Sequence, residues 1–189
     1  MNLPNRLTLV RIGLSFLIIF LLLLPGLPAK GAALGVFLAA ALTDWWDGRI
    51  ARRRGLTSDF GALMDPIADK VLVLSAFGAF VRLGVAPLWM VLVIAAREIL
   101  ITGIRLGALR KGTVLPAEAA GKWKAALQMA AITITLLFLI ARESAPASGA
   151  GWVTQGPAWI RMLMFWVVLL TLTSGLSFLW RNRRLILGS

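Results

Sequence analysis

Long apolar runs alternate along this chain with short clusters of Pro, Gly and charge, and the runs occupy residues 7–28, 32–54, 60–82, 87–109, 118–141 and 159–180. A helix that crosses the hydrocarbon core needs about 20 mostly apolar residues, so each stretch is long enough. Helices also satisfy their own backbone polar groups, which lipid cannot do. The pattern therefore predicts an all-α, polytopic membrane protein with six transmembrane helices. The first stretch is too long for the apolar region of a secretory signal, and 25–30 is a poor cleavage site, so it reads as a membrane helix. No internal repeat or separate soluble domain interrupts the series, and residues 1–189 read as a single membrane domain. The longest interval between stretches, 143–158, is rich in Gly, Ser and Ala and predicts a flexible external loop.

Charge orients the series. One set of helix ends carries Arg6 and Arg11, then Arg49 and Arg52 to Arg54, then Arg105, Arg110, Lys111, Lys122 and Lys124, and finally Arg181, Arg183 and Arg184. The opposite ends carry only Lys30, Arg82, Arg142 and Arg161. Cytoplasmic loops hold the excess of Lys and Arg, which predicts that both termini are cytoplasmic. Trp45, Trp46, Trp123, Trp152, Trp159 and Trp180 lie near the predicted helix ends, where an indole prefers the membrane interface. Gly103 and Gly107 form a small-xxx-small pair on the fourth stretch and predict close helix packing.

Composition narrows the chemistry. The chain is 59% hydrophobic and 15% charged, with net charge +12 and neither His nor Cys. Disulfides, thiolate zinc sites and Cys nucleophiles are excluded, and the usual general base is missing. A hydrophobic protein with its cations at helix ends pairs them with anionic headgroups and phosphorylated substrates rather than with nucleic acid.

Of eight acidic residues, Asp44, Asp47, Asp65 and Asp69 fall in the apolar stretches flanking one short cytoplasmic loop. Ionisable residues there are costly and mark function. Positions 44, 47, 48 and 51 share one helical face at i, i+3, i+4 and i+7, and 61, 65 and 69 share another at i, i+4 and i+8. Two carboxylate pairs can thus face each other across a hairpin. Gly48, Ala51 and Gly61 lie on the same faces and leave room for a ligand. Four nearby carboxylates repel unless a cation neutralises them, and oxygen donors without His or Cys favour Mg²⁺ or Mn²⁺. Competing readings exist for single residues: Asp65 before Pro66 as a helix cap, Asp59 as a cap or solvated charge, Lys70 as a counter-charge for its neighbours, and Arg53 and Arg54 as anchors.

Residues 44–69 follow D-x2-D-G-x2-A-R, eight residues, then G-x3-D-x3-D. With every fixed position filled, this run resembles the signature of the CDP-alcohol phosphatidyltransferases. Residues 2–11, the run Ala96-Arg97-Glu98 and the run Gly121-Lys122-Trp123-Lys124 further resemble the bacterial branch that makes phosphatidylglycerophosphate. The resemblance implies a six-helix, usually homodimeric protein of the bacterial cytoplasmic membrane, active on its cytoplasmic side.

The activity so implied is transfer of the phosphatidyl group from CDP-diacylglycerol to sn-glycerol 3-phosphate. By resemblance, Asp44, Asp47 and Asp65 would be metal ligands for about two ions, as in two-metal phosphoryl-transfer sites. Asp69 would assist them and take the proton from the attacking hydroxyl. Gly48, Ala51 and Arg52 would line the CDP-lipid site, with Asn5, Thr8 and Arg11 as further candidates. The acceptor's phosphate requires a second cationic site, for which Arg97, Arg105, Lys122 and Lys124 are candidates, with Glu98 orienting Arg97 or contacting the glycerol. Inositol phosphate, phosphatidylglycerol and serine are alternative acceptors. A small ion-coupled transporter is the alternative outside the enzyme class, disfavoured because the aspartates lie at helix ends and no repeat is present.

Overall fold

The computed structural model describes residues 3–54, 59–110, 119–145 and 151–187, with side chains over 9–43, 67–109, 121–145 and 151–183. These residues form six helices: α1 (Leu3–Leu23), α2 (Leu27–Arg54), α3 (Asp59–Arg82), α4 (Leu88–Arg110), α5 (Ala119–Ser144) and α6 (Gly151–Leu187). All are α-helical, and each corresponds to one apolar stretch. By length and composition, α5 over Gly121–Ser144 and α6 over Gly151–Arg183 are sufficient to cross a membrane, while α1 and α2 carry the shorter apolar segments Leu9–Leu23 and Leu27–Thr43.

Two turns are fixed by local chemistry. Gly26 adopts a left-handed φ of 93° between α1 and α2, a conformation open mainly to glycine. The buried Lys30 ammonium reaches back from α2 to the carbonyl oxygens of Leu22 and Leu24, supplying donors to the open end of α1. At the end of α3, Gly84 has φ 72°, with Gly84 N–H donating to Val81 O and Val85 N–H to Phe80 O. That pair of bonds is a Schellman termination, and its usual apolar contact is available from the buried Val85 and Phe80.

Helix α1 packs on α2 and α3, α3 on α4 and α5, α5 on α2 and α6, and α6 on α4. Ile18, Phe37, Phe77, Phe80, Ile94, Leu136 and Met164 are fully buried between them. Phe16, Ile99, Trp159 and Leu176 face outward, more than 60% exposed. Apolar side chains on both the inside and the outside are what a lipid-facing helix bundle requires.

Four expectations are corrected. Residues 143–158 are not one loop: α5 runs to Ser144 and α6 starts at Gly151, carrying Pro157 inside it. The small-residue composition hid an aromatic anchor, Trp152 against Phe138 at 6.3 Å edge-to-face, which holds this segment in the fold. The break between the first two stretches falls at 24–26, so Leu27 to Gly31 belong to α2, with Pro28 in its first turn, where a missing N–H costs nothing. Asp65 and Pro66 do not start a helix, because α3 begins at Asp59 and runs through both. Finally, a Cβ built on Gly103 or Gly107 meets nothing within 4 Å, so among the described residues this pair serves no close packing within the chain.

Candidate active site

Asp44, Asp47, Gly48, Ala51 and Arg52 lie on the C-terminal part of α2, and Gly61, Asp65 and Asp69 on the N-terminal half of α3. Both helices are continuous across these positions, so the helical spacings inferred for the two sets apply. The side chains at 44, 47, 48, 51, 52, 61 and 65, and those of Asn5 and Thr8, lie outside the described ones. Arg11 and Asp69 are within them, and the fold brings them together. Arg11 Nη1 lies 3.1 Å from Asp69 Oδ1, with Arg11 buried and the Asp69 side chain 37% exposed. Helix α1 is thus the element that joins α3 near its aspartates, and Ser15 donates to the Arg11 carbonyl one turn on.

The next residue on α3 points to a second site. Lys70 Nζ lies 3.3 Å from Glu98 Oε2 on α4. Glu98 is almost fully buried, and its Oε1 receives the Lys124 ammonium from α5, lies 3.5 Å from Arg97 Nη1 and accepts from Gln128 Nε2 at 3.4 Å. A carboxylate is tolerated at such depth only when paired and hydrogen-bonded, and here donors from three helices converge on it. Arg97 in turn donates to Ser174 Oγ on α6 at 3.1 Å. Gly175 leaves room for that arginine, since a Cβ there would stand 3.0 Å from Arg97 Nε and 3.2 Å from its Cγ.

Lys70, Arg97, Glu98 and Lys124 line a cavity of about 240 Å³. Its walls carry five cations, Lys70, Arg97, Arg105, Lys122 and Lys124, against the single carboxylate of Glu98, with Thr102 and the backbone of Gly121 beside them. Arg105 lies 4.9 Å over the Phe178 ring, which steadies a guanidinium without neutralising it. A small, cationic chamber lined from α3, α4 and α5 suits a compact anion such as a phosphate monoester.

All four residues assigned to the acceptor phosphate therefore meet at one cavity. Among the described side chains, Lys70 pairs across helices, with Glu98, rather than with a sequence neighbour. Sequence reasoning missed Lys70, Gln128, Ser174 and Gly175 as parts of the site. A weak signal existed for one of them, and for the face that the α4 residues share. Gln128 sits one turn from Lys124, and residues 97, 101 and 105 share a face of α4 with the polar pair at 98 and 102 one step away.

Among known proteins, the CDP-alcohol phosphatidyltransferase family profile matches residues 1–173. A CDP-diacylglycerol–glycerol-3-phosphate 3-phosphatidyltransferase of Bacillus subtilis is 38% identical over 148 residues, covering 72% of this chain and 77% of the relative. A protein of Mycobacterium tuberculosis named as a probable phosphatidylglycerophosphate synthase is 36% identical over 190 residues, covering 99% and 84%. A CMP-forming cardiolipin synthase of rice is 40% identical over 175 residues, covering 84% of this chain and 51% of the relative.

Proposed function

Because this chain belongs to the CDP-alcohol phosphatidyltransferase family, we propose that it transfers the phosphatidyl group of CDP-diacylglycerol to sn-glycerol 3-phosphate, giving phosphatidylglycerophosphate and CMP. The relatives in Bacillus and Mycobacterium that carry this activity in their names support the reading across most of the chain. The observation that carries the choice of acceptor is the cationic cavity. Its position beside Asp69, through the adjacent Lys70, supports reading it as the site of the acceptor's phosphate.

In the reaction, the 1-hydroxyl oxygen of glycerol phosphate attacks the β-phosphorus of the CDP-lipid. The new P–O bond forms as the bond to CMP breaks, and Asp69 takes the hydroxyl proton. Arg11 holds the Asp69 carboxylate in place from α1. Gly48, Ala51, Gly61 and Arg52, with Asn5 and Thr8, border the nucleotide-lipid. Asp44, Asp47, Asp65 and Asp69 would hold two Mg²⁺ or Mn²⁺ ions. The donor set fits them: four hard oxygen ligands in a chain without His or Cys, with Asp69 partly open to a ligand. When bound, such ions supply neutralisation of the diphosphate charge.

The chain is a membrane protein of apolar helices. We place all six helices across a bacterial cytoplasmic membrane, with both termini and the active site on the cytoplasmic side, on the Lys and Arg asymmetry. Residues 1–189 form one functional domain, and the working unit is a homodimer. The similarity to a cardiolipin synthase favours phosphatidylglycerol as the second acceptor to test. Its headgroup phosphate is a diester tied to two acyl chains, a poorer match for a small chamber with five cations.

The test is to incubate purified protein, CDP-diacylglycerol and Mg²⁺ with glycerol phosphate, inositol phosphate, serine or phosphatidylglycerol in separate reactions, and identify the lipid formed. Glycerol phosphate should give phosphatidylglycerophosphate and CMP, and chelation should stop both. A product only with another acceptor would reassign the substrate. Failure of CMP release to depend on Mg²⁺ and added alcohol would return the ion-coupled transporter.

A further inference from the structure

We propose that Glu98 is a positioning residue that locks Lys124 and braces Lys70, and that the acceptor's phosphate is met instead by Arg105 and Lys122. This rests on the acceptor reading of the cavity given above and changes the division of labour within it.

A carboxylate offers about four lone-pair directions, and Glu98 has four partners: Lys124, Arg97 and Gln128 at Oε1, and Lys70 at Oε2. Only 1% of its side chain is exposed. With Oε1 crowded by three partners, Oε2 held by Lys70 and the side chain almost fully buried, it is not open to a glycerol hydroxyl or to its proton. The Lys124 side chain is 4% exposed and held by this carboxylate. To bind phosphate, Lys124 would have to give up its buried contact with Glu98, the partner that offsets the desolvation of its own ammonium.

The other cations differ. Lys122 and Arg105 are exposed residues on the cavity wall, and neither faces a carboxylate among the described side chains. Arg105 stacks on Phe178, which leaves the hydrogen-bonding edge of its guanidinium available. An incoming phosphate breaks no described ion pair at these two groups. Two cations without a carboxylate partner can meet the two charges of a phosphate monoester, while the Glu98 cluster fixes α3, α4 and α5 relative to one another behind them.

Two measurements on the full-length protein test this. The first is kinetic, with glycerol phosphate varied at saturating CDP-diacylglycerol. K122Q is expected to raise KM for glycerol phosphate about tenfold with little change for the CDP-lipid, as loss of a binding contact should. K124M and E98Q should each lower the unfolding midpoint and kcat, because each breaks the buried cluster, while raising KM for glycerol phosphate less than K122Q does. A K124M protein with a wild-type midpoint and a KM for glycerol phosphate raised as far as in K122Q would show Lys124 acting on the substrate and overturn the proposal.

The second measurement needs no substitution. Wild-type protein is treated with an amine-reactive acylating reagent, with and without inorganic phosphate, and the modified lysines are identified by mass spectrometry. Lys122 should be modified and protected by phosphate, while Lys124 stays unmodified in both samples. Modification of Lys124 that phosphate suppresses would sink the assignment, as would reaction at Lys122 that phosphate leaves unchanged. Because inorganic phosphate is the probe, this result stands apart from the function test: a wild-type protein inactive with glycerol phosphate would remove the substrate assignment alone.

Discussion

The Arg11 guanidinium stands 3.1 Å from the Asp69 carboxylate, tying α1 to α3, while the residue that follows Asp69, Lys70, reaches Glu98 on α4. Two consecutive residues of one helix thus make ion pairs with different helices. Asp69 belongs to the metal and donor side of the proposed reaction and Lys70 to the acceptor side. A helix is rigid over one residue, so the two substrates' sites are held at a fixed separation by α3. In-line transfer depends on that separation, since misplacing reacting atoms by about 1 Å costs on the order of 100-fold in rate.

Asp69→Asn is expected to lower turnover by about 10²- to 10⁴-fold, the range for loss of a general base, while the protein remains folded and inserted. Entry of labelled glycerol phosphate into lipid measures it, and near-normal turnover would remove Asp69 from that role. Arg11→Lys should be milder than Arg11→Ala, because a single ammonium keeps the charge but not the planar fork of donors.

Lys122→Ala is expected to raise KM for glycerol phosphate by roughly tenfold and to leave KM for CDP-diacylglycerol within about twofold, the pattern for loss of contact with one substrate only. The residue is exposed on the cavity wall, so the substitution carries little folding cost. Initial rates over a matrix of both substrates decide it. Equal rises in both constants would argue against a dedicated acceptor-phosphate site.

Gly175→Ala is expected to act through Arg97. The new methyl would stand 3.0 Å from Arg97 Nε and 3.2 Å from its Cγ, closer than side chains normally tolerate, so Arg97 or α6 must shift by a few tenths of an ångström. Arg97 is fixed by Ser174 at 3.1 Å and by Glu98, which limits the adjustment. The expected result is a severalfold rise in KM for glycerol phosphate with a smaller change in thermal stability, on the scale of about 1 kcal/mol for mild overpacking. Wild-type kinetics in this variant would show that the arginine moves freely.

The helices were legible because a bilayer makes each one self-sufficient: apolar length and the Pro, Gly and charge breaks are local signals, and α1 to α6 follow them. The candidate acceptor cations could be picked out one by one from their place at helix ends, and Arg97, Arg105, Lys122 and Lys124 do line one cavity. Their organisation was not. Glu98 gathers partners from positions 70, 97, 124 and 128, a convergence set by how α3, α4 and α5 pack and invisible to any window of one helix. Gly175 was passed over for the same reason, as its neighbour is Arg97 on another helix. The reading of Asp65 before Pro66 as a cap, and of residues 151–158 as loop, erred in the opposite direction. There local composition suggested breaks, and packing of the longer helices overrode it.

The segment before Pro157 gives the control for these predictions, because it is tightly packed and distant in sequence from the cavity residues. A Cβ on Gly156 would overlap the Phe138 ring at three of its carbons. The ring has little freedom to turn away, since it packs edge-to-face on Trp152 at 6.3 Å and lies under the Arg142 guanidinium at 6.0 Å. Gly156→Ala must therefore displace an aromatic anchor between α5 and α6, at an expected cost of about 1–3 kcal/mol for overpacking. Thermal unfolding in detergent should show a lowered midpoint, while KM for glycerol phosphate and for the CDP-lipid stay at wild-type values in protein kept below that midpoint. Replacing Phe138 by Leu in the same chain should restore part of the lost stability by making room for the methyl. A change in either KM would mean that this end of the bundle is coupled to the active site, and the kinetic effects of Gly175→Ala could then no longer be assigned to Arg97 alone.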